Sequence, residues 1–240
     1  MSQSKFQYKI SILDVDFSKH LYLPKLFSLL LDASEKNATS NGFGMEYLQQ
    51  NNRSWVLSRF SIEVYSLPKL GEDIFIETWI EDANRMITTR NYAITSATGD
   101  VIGAASSVWA MIDLQSRKAV NIDEYYMKFA TKRPPLCQKP RRIGDLRSAE
   151  IRKYSPLYSD IDTNVHVYSG KYIEWFMNLI PNPQKFFLQK KIKFVELNFV
   201  SESLFGDDLD LAVEKVTDDE FLFEAKRLET LICRMKAVFA

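Results

Sequence analysis

Two segments of the chain, 23–38 and 169–180, carry apolar residues at helical spacing. In the first segment these positions belong to the run LPKLFSLLL, and Pro24 suits the first turn of a helix. The second segment, SGKYIEWFMNLI, begins at Ser169, a candidate N-cap, and is followed by Pro181. The pattern therefore predicts one helix in each half of the chain.

Alternating runs rich in β-branched and aromatic residues follow both helices and predict strands. The predicted strands are 54–66, 73–82, 86–96 and 101–114 in the first half, and 189–201, 208–216, 220–229 and 230–240 in the second. A shorter alternating stretch precedes each helix. One helix for so many strands predicts an α+β fold, in which two tandem curved antiparallel sheets are each wrapped around a central helix whose apolar face they bury.

The two halves also repeat in sequence. DVDFSKHLYLPKLF at 14–27 matches DIDTNVHVYSGKYI at 160–173 without gaps and with a constant offset of 146. The identical pairs are Asp14 and Asp160, Asp16 and Asp162, His20 and His166, Tyr22 and Tyr168, and Lys25 and Lys171. Further on, a Gly-acid-acid turn at 70–73 recurs at 205–208 with an offset of 135. We interpret the chain as a duplicated unit, and we call its halves the first and second copies.

The copies define the predicted domains. Residues 1–125 form the first domain, 126–150 a basic but ordered connector, and 151–240 the second domain.

Composition excludes several classes of function. The 240 residues hold 31 Lys+Arg against 31 Asp+Glu, which argues against nucleic-acid binding. We expect no signal peptide and no membrane-spanning segment. Two cysteines without a spacing motif, Cys137 and Cys233, are expected to be reduced, as in a cytoplasmic protein. We find no cofactor or metal motif and expect neither group.

The polar residues ahead of the second helix are the candidate site. In an extended segment, Asp162, Asn164 and His166 would point to one face, beside the free N–H groups of a helix start. Such a place can hold a carbonyl oxygen that becomes negative, while a carboxylate and an imidazole activate water. The first copy has Ser18 in place of the asparagine, so we interpret His20 as a structural remnant.

These residues resemble a known family. SDIDTNVHVYSGKYIEW at 159–175 is similar to the D-x-N-x-H motif and following helix of the acyl-acyl carrier protein (acyl-ACP) thioesterases of plastids and bacteria. The stretches 53–79 and 97–120 are also similar. The likeness covers nearly the whole chain and is weakest in 115–150 and after 205. It implies two tandem hot-dog domains, which fits the duplication.

The resemblance implies hydrolysis of the thioester that joins a fatty acyl chain to the carrier protein. The family's Asp, Asn and His fall on Asp162, Asn164 and His166, and its further Glu falls on Glu202. Ser203 replaces the family's cysteine, so we favour attack by water over a covalent nucleophile. His166 would polarise the carbonyl or protonate the leaving thiol, and Asn164 would orient the thioester. The general base is either Glu202 or Asp162.

The family's Asn-Asn pair after the histidine is replaced by Tyr168 and Ser169, which affects the bonding at the helix start.

The resemblance also places the acyl chain in the first domain and an acidic carrier protein on a basic surface. Four aromatic residues are candidates for the acyl lining: Trp55, Phe60, Trp79 and Trp109. Five basic residues of the connector are candidates for the carrier contact: Lys132, Arg133, Lys139, Arg141 and Arg142.

Two alternatives stay open, namely another hot-dog enzyme (an acyl-CoA thioesterase or a hydratase) and a catalytically silent acyl-binding module. The sequence is compatible with a monomer or a homodimer.

Overall fold

The computed structural model describes residues 4–122 and 124–240 and divides into two compact units. The N-terminal unit extends to Pro140, and the C-terminal unit is Arg141–Ala240. The boundary falls inside the predicted connector. Hydrogen bonds explain why: the Gln138 carbonyl accepts from Ser61 in the N-terminal unit, whereas the Ile143 N–H donates to Asn198 in the C-terminal unit.

The N-terminal unit contains one long helix and one antiparallel sheet. Its elements are β1 (Lys5–Lys9), α1 (Leu23–Ser40), α2 (Met45–Gln50), β2 (Arg53–Val64), β3 (Asp73–Ala83), β4 (Ile87–Ser96), β5 (Val101–Asp113), β6 (Ala119–Val120) and α3 (Glu124–Met127). The strand order is β1-β3-β4-β5-β2, and the short β6 pairs with β5.

The C-terminal unit has the same plan. Its elements are β7 (Glu150–Tyr154), α4 (Ser169–Leu179), α5 (Pro183–Gln189), β8 (Ile192–Phe199), β9 (Leu209–Lys215), β10 (Glu220–Arg227) and β11 (Thr230–Phe239). The strand order is β7-β9-β10-β11-β8. Both units therefore arrange their strands in the same order relative to the chain, and the predicted α+β fold, with a set of antiparallel strands in each half of the chain, is confirmed.

Each long helix buries its apolar face against the sheet of its own unit. In the N-terminal unit the Phe60 ring lies between Phe27 of α1 and Tyr92 of β4, with centroid distances of 5.0 and 5.5 Å. In the C-terminal unit Phe176 of α4 contacts Phe223 of β10 at 5.8 Å. Full burial of each such side chain stabilises the fold by about 1.5–3 kcal/mol.

Local structure differs from the sequence prediction at the start of α4 and in the short elements. Ser169 is the first residue of α4, and the N-cap is Tyr168, so the predicted serine cap is wrong. The short helices α2 and α5 were not predicted, because six or seven residues offer too little periodicity to recognise.

None of the helices in 4–122 and 124–240 has the length and apolar character needed to cross a membrane.

A buried aspartate precedes each long helix. The Asp14 carboxylate accepts hydrogen bonds from the Ser11 N–H at 2.8 Å and the Ser11 hydroxyl at 2.6 Å, and pairs with Lys25 at 3.0 Å. Asp160 likewise accepts from the Leu157 N–H and the Tyr154 hydroxyl, and pairs with Lys171 at 3.3 Å. The repeated Asp and Lys positions thus hold the backbone at each helix entry.

We expect Asp14 to stabilise the protein in a pH-dependent way. Burial raises the pKa of its carboxyl, but the hydrogen bonds from Ser11 and the contact with Lys25 outweigh burial and leave the pKa below its ordinary value. The stabilisation is then complete above the unfolded-state pKa of about 3.9 and is lost as pH falls through the lower folded-state pKa.

Urea unfolding of wild type and Asp14→Asn at several pH values measures this effect. The difference in unfolding free energy between wild type and Asp14→Asn should be largest near neutral pH and should decrease as the pH is lowered. Asp100→Asn, in the exposed Ser96–Asp100 turn, is the control. Its unfolding free energy should differ little from that of wild type at every pH. A difference for Asp14→Asn that stays constant down to pH ~3 would contradict the assignment.

Candidate active site

The loop that carries Asp162, Asn164 and His166 is a tight turn. The Asp162 N–H donates to the His166 carbonyl at 2.8 Å, and the Val165 N–H donates to the Asp162 carbonyl at 3.0 Å. Val165 has a φ of +65°, in the left-handed region that β-branched residues rarely adopt. The prediction that these residues form an extended segment with three side chains on one face is therefore wrong.

The Asp162 side chain explains this conformation. Its Oδ1 accepts the backbone N–H groups of Asn164 at 2.8 Å and His166 at 3.3 Å. A short side chain that accepts a hydrogen bond from the backbone two residues on favours a turn over extended chain. Asp162 thus holds the loop that presents His166.

The first copy folds its loop in the same way. The Asp16 N–H donates to the His20 carbonyl at 3.0 Å, and the Lys19 N–H donates to the Asp16 carbonyl at 2.9 Å. Lys19, at the position of Val165, has a φ of +61°. Asp16 Oδ1 accepts the Ser18 N–H at 2.8 Å. The repeat therefore extends to individual backbone hydrogen bonds.

His166 meets a carboxylate from another loop of the C-terminal unit. The Nε2 atom of His166 lies 3.2 Å from Oε2 of Glu202, and the side chains are 24% and 43% exposed. The Val167 N–H donates to the Ser203 carbonyl at 2.8 Å, which places the residues after His166 and Glu202 side by side. The site thus combines an imidazole and a carboxylate, both accessible to solvent.

The first copy lacks this pair. The equivalent backbone bond runs from the Leu21 N–H to the Pro68 carbonyl at 2.7 Å, so Leu67 occupies the position of Glu202. The Nδ1 atom of His20 contacts the carbonyl and hydroxyl oxygens of Ser18 at 2.9 and 3.1 Å. The same backbone therefore carries an imidazole–carboxylate pair only in the second copy.

Asn164 and Ser203 occupy contrasting positions. Asn164 is exposed on the turn, and its side-chain amide has no hydrogen bond within the described residues. Ser203 is 1% exposed, and its Oγ lies 2.6 Å from the hydroxyl of Tyr172 on α4. Asn164 is therefore open to a ligand, whereas the Ser203 hydroxyl is engaged in the interior.

The predicted carrier contacts divide into two groups. Lys132, Arg133 and Lys139 pair with acidic residues of β3, at distances of 2.6, 2.8 and 2.7 Å. The side chains of Arg141 and Arg142 are exposed and make no ion pair within the described part of the chain, although the Arg141 N–H donates to Glu196. The first group is locally neutralised, so among the five candidates Arg141 and Arg142 are those whose charge is available.

The aromatic candidates for the acyl lining do not share one face of the sheet. Thr78 and Arg90 bond to each other, and Arg90 also bonds to Asn37 of α1, so this side of the sheet faces the helix. Trp79, next to Thr78, points to the opposite side, where its Nε1 donates to the Arg133 carbonyl at 2.9 Å. Trp79 is therefore removed from the candidate lining.

The other three aromatic residues lie on the helix side. Phe60 is fully buried in the core. Trp55 packs against Tyr126 at 5.7 Å, and the indole N–H of half-buried Trp109 donates to Ser107 at 2.8 Å.

Sequence reasoning missed Tyr172 and the contrast between Glu202 and Leu67. Both signals were present in the repeat: the offset of 146 aligns Tyr172 with Leu26, and the offset of 135 aligns Glu202 with Leu67. In the described residues no group of three His, Cys, Asp or Glu side chains is placed to hold a metal.

Comparison with family models gives two matches. Residues 2–129 match the model described as the acyl-ACP thioesterase N-terminal domain, and residues 144–236 match the acyl-ACP thioesterase C-terminal domain.

Individual relatives agree with these matches. The chain is 25% identical over 236 residues to a chloroplastic oleoyl-acyl carrier protein thioesterase of Coriandrum sativum, covering 90% of this chain and 63% of that protein's length. It is 34% identical to an acyl-ACP thioesterase of Bacteroides thetaiotaomicron of known structure, with a TM-score of 0.92 and coverage of 98% and 97% of the two chains. The 12:0-ACP thioesterase of Umbellularia californica, 17% identical with a TM-score of 0.86 over 98% and 97%, shares the fold.

The role of Asp162 in the turn leads to a prediction. Asp162→Ala removes the acceptor of the Asn164 and His166 N–H groups, so these two amides should exchange with solvent about fivefold faster, given the ~1 kcal/mol that a hydrogen bond contributes. Asp162→Asn keeps an acceptor oxygen and should keep most of the protection. Residue-resolved hydrogen exchange measures both. Equal protection in wild type and Asp162→Ala would show that the carboxylate does not hold the turn.

Proposed function

The chain belongs to the acyl-ACP thioesterase family, and we propose that it hydrolyses the thioester of fatty acyl-ACP to a free fatty acid and the carrier thiol. Together, the family matches cover most of the sequence. The chain spans 63% and 66% of the length of two chloroplastic oleoyl-acyl carrier protein thioesterases, and 97% of the Bacteroides enzyme.

The observation that carries the proposal is the contact between His166 and Glu202. The two copies share a backbone framework, yet only the second brings an imidazole within 3.2 Å of a carboxylate. Since the fold of the loops does not require the pair, chemistry is the better reason for its presence. Both groups are accessible, as a bound thioester and a water molecule would need.

The proposed reaction is a direct attack by water. Glu202 removes a proton from the water molecule while the water oxygen bonds to the thioester carbonyl carbon. The tetrahedral intermediate then breaks its C–S bond to release the fatty acid, and the proton that Glu202 took from the water passes through His166 to the leaving thiolate. This scheme assigns the general base to Glu202 rather than Asp162, because Asp162 Oδ1 is occupied by two backbone N–H groups.

Asn164 supports the same reaction. We assign its exposed amide to a hydrogen bond with the thioester carbonyl oxygen, which becomes negative in the intermediate. Ser203 has no nucleophilic role in this scheme, because its buried hydroxyl is bound to Tyr172.

For the acyl chain we propose the helix side of the N-terminal sheet. Trp109 is the best-placed lining residue, since it is half-buried, whereas Phe60 is closed in by Phe27 and Tyr92. For the acidic carrier protein we propose contact with Arg141 and Arg142, whose side chains are exposed and form no ion pair within the described residues.

We also propose that the protein acts in the cytoplasm, with reduced cysteines. Cys137 and Cys233 form no disulfide. Burial raises the pKa of the Cys137 thiol to about 12, which keeps it protonated and unreactive. A monomer and a homodimer both remain compatible with these features.

Steady-state assays of thiol release from acyl-ACP and acyl-CoA test the function. We expect faster hydrolysis of acyl-ACP. Glu202→Gln and His166→Ala should each lower kcat at least about 100-fold, because each group takes part in proton transfer. Asp162→Asn should cost less than about tenfold, because its amide oxygen still accepts the loop N–H groups.

His20→Ala is the matched control in the first copy and should keep nearly full activity. Preference for acyl-CoA would favour the CoA thioesterase alternative. Tight acyl binding without release of thiol from any substrate would favour a silent binding module. Near-native turnover of Glu202→Gln would remove Glu202 from the mechanism.

Chain-length preference should respond to Trp109 and not to Trp79. Trp109→Phe makes room on the helix side, so the kcat/KM ratio of longer to shorter acyl chains should rise, by up to ~4-fold per methylene, which corresponds to ~0.8 kcal/mol. Trp79→Phe, on the opposite side of the sheet, should leave the ratio unchanged. Competition assays with mixed acyl-ACP substrates measure both ratios. An altered ratio for Trp79→Phe alone would contradict the proposed lining.

A further inference from the structure

A hydrogen-bonded pair of buried hydroxyls lies behind the His166–Glu202 contact. Tyr172 and Ser203 are 3% and 1% exposed, and their hydroxyl oxygens are 2.6 Å apart. Tyr172 projects from the first turn of α4, and Ser203 directly follows Glu202 in the chain. Burial raises the pKa of the Tyr172 phenol far above its ordinary value, so the hydroxyl stays protonated.

The first copy shows that the loop does not need this pair. Leu26 and Pro68 occupy the positions of Tyr172 and Ser203. The next residue of each loop nevertheless makes the same hydrogen bond to a carboxylate: the Lys69 N–H donates to the Glu72 side chain at 3.0 Å in the first copy, and the Leu204 N–H donates to the Asp207 side chain at 2.8 Å in the second. Both copies therefore form the same loop, but the hydroxyl pair occurs only in the copy that also has the imidazole–carboxylate pair.

The exchange of proline for serine suggests what the pair does. The ring of Pro68 fixes its own φ and restrains the chain in the first copy. Ser203 has no such restraint, and its hydroxyl would be costly to bury without a partner. Its bond to Tyr172 ties the loop to α4, while Glu202, one residue earlier, is exposed beside His166.

We propose that Tyr172 is a positioning residue: through Ser203 it fixes the loop so that the Glu202 carboxylate stays in contact with His166 Nε2. Within the described residues Tyr172 forms no hydrogen bond with His166 or Glu202, so in this proposal it acts through the position of Glu202. The proposal rests on the proposed hydrolysis. It also gives Ser203 a role that a thiol fills poorly, because a sulfur atom is too large to lie 2.6 Å from the phenol oxygen.

Kinetics of Tyr172→Phe and Ser203→Ala test the proposal with acyl-ACP as substrate. We expect kcat to fall by about 10- to 100-fold with little change in KM, because a small displacement of a catalytic group affects the chemical step. Ser203→Cys should also lower kcat. Tyr8→Phe is the matched control, since it removes a hydroxyl bond of the same 2.6 Å length, to Asp32 in the N-terminal unit, and should leave kcat unchanged.

A double-mutant cycle separates positioning from general destabilisation. If Tyr172 acts through Glu202, adding Tyr172→Phe to the Glu202→Gln variant should lower kcat less than about twofold. The proposal would be overturned if Tyr172→Phe lowered kcat as much in the Glu202→Gln variant as in wild type. It would also be overturned if kcat were unchanged in both Tyr172→Phe and Ser203→Ala, or if Ser203→Cys turned over faster than wild type.

A structural measurement does not depend on activity. In crystals of Tyr172→Phe the Glu202 carboxylate should have moved away from His166, relative to wild-type crystals. An unmoved carboxylate overturns the positioning role. Failure of the wild type to hydrolyse any thioester would instead overturn the proposed function, and the crystals would still decide whether Tyr172 positions Glu202.

Discussion

The backbone hydrogen bond from the Val167 N–H to the Ser203 carbonyl is the constraint on which the candidate site depends. It joins the loop before α4 to the loop after β8, and it leaves His166 and Glu202 as neighbours across that contact. Two distant parts of the sequence thus supply an imidazole and a carboxylate at 3.2 Å, while Asp162 holds one loop and Tyr172 contacts the other.

Duplication provides an internal comparison for every residue of the site. Both copies form the same turn, with a left-handed residue at Lys19 or Val165, and both close it with the same backbone bond. Differences between the copies therefore reflect function more than folding. The second copy has Glu202 where the first has Leu67, and a hydroxyl pair where the first has apolar residues. This separation lets one framework serve acyl binding in one unit and hydrolysis in the other under our proposal.

Much of the fold follows from sequence because its signals are long and periodic. The α1 helix and strands β2 to β5 run for ten or more residues, and the prediction located them to within a few residues. The turn around Asp162 was mispredicted as extended, because alternation of polar residues cannot reveal that Asp162 bonds to its own backbone. Composition also cannot tell which side of the sheet Trp79 faces. That side follows from strand pairing and from the hydrogen bond of Arg90 to α1, which identifies the opposite side as the one that faces the helix.

The central claim is that the second copy alone holds the reacting thioester, between His166 and Glu202. The most direct measurement is a crystal structure with a non-hydrolysable acyl-pantetheine analogue. The account predicts that the carbonyl carbon lies beside these two side chains, with its oxygen in reach of the Asn164 amide. A carbonyl bound beside His20, or out of reach of Glu202, would contradict it.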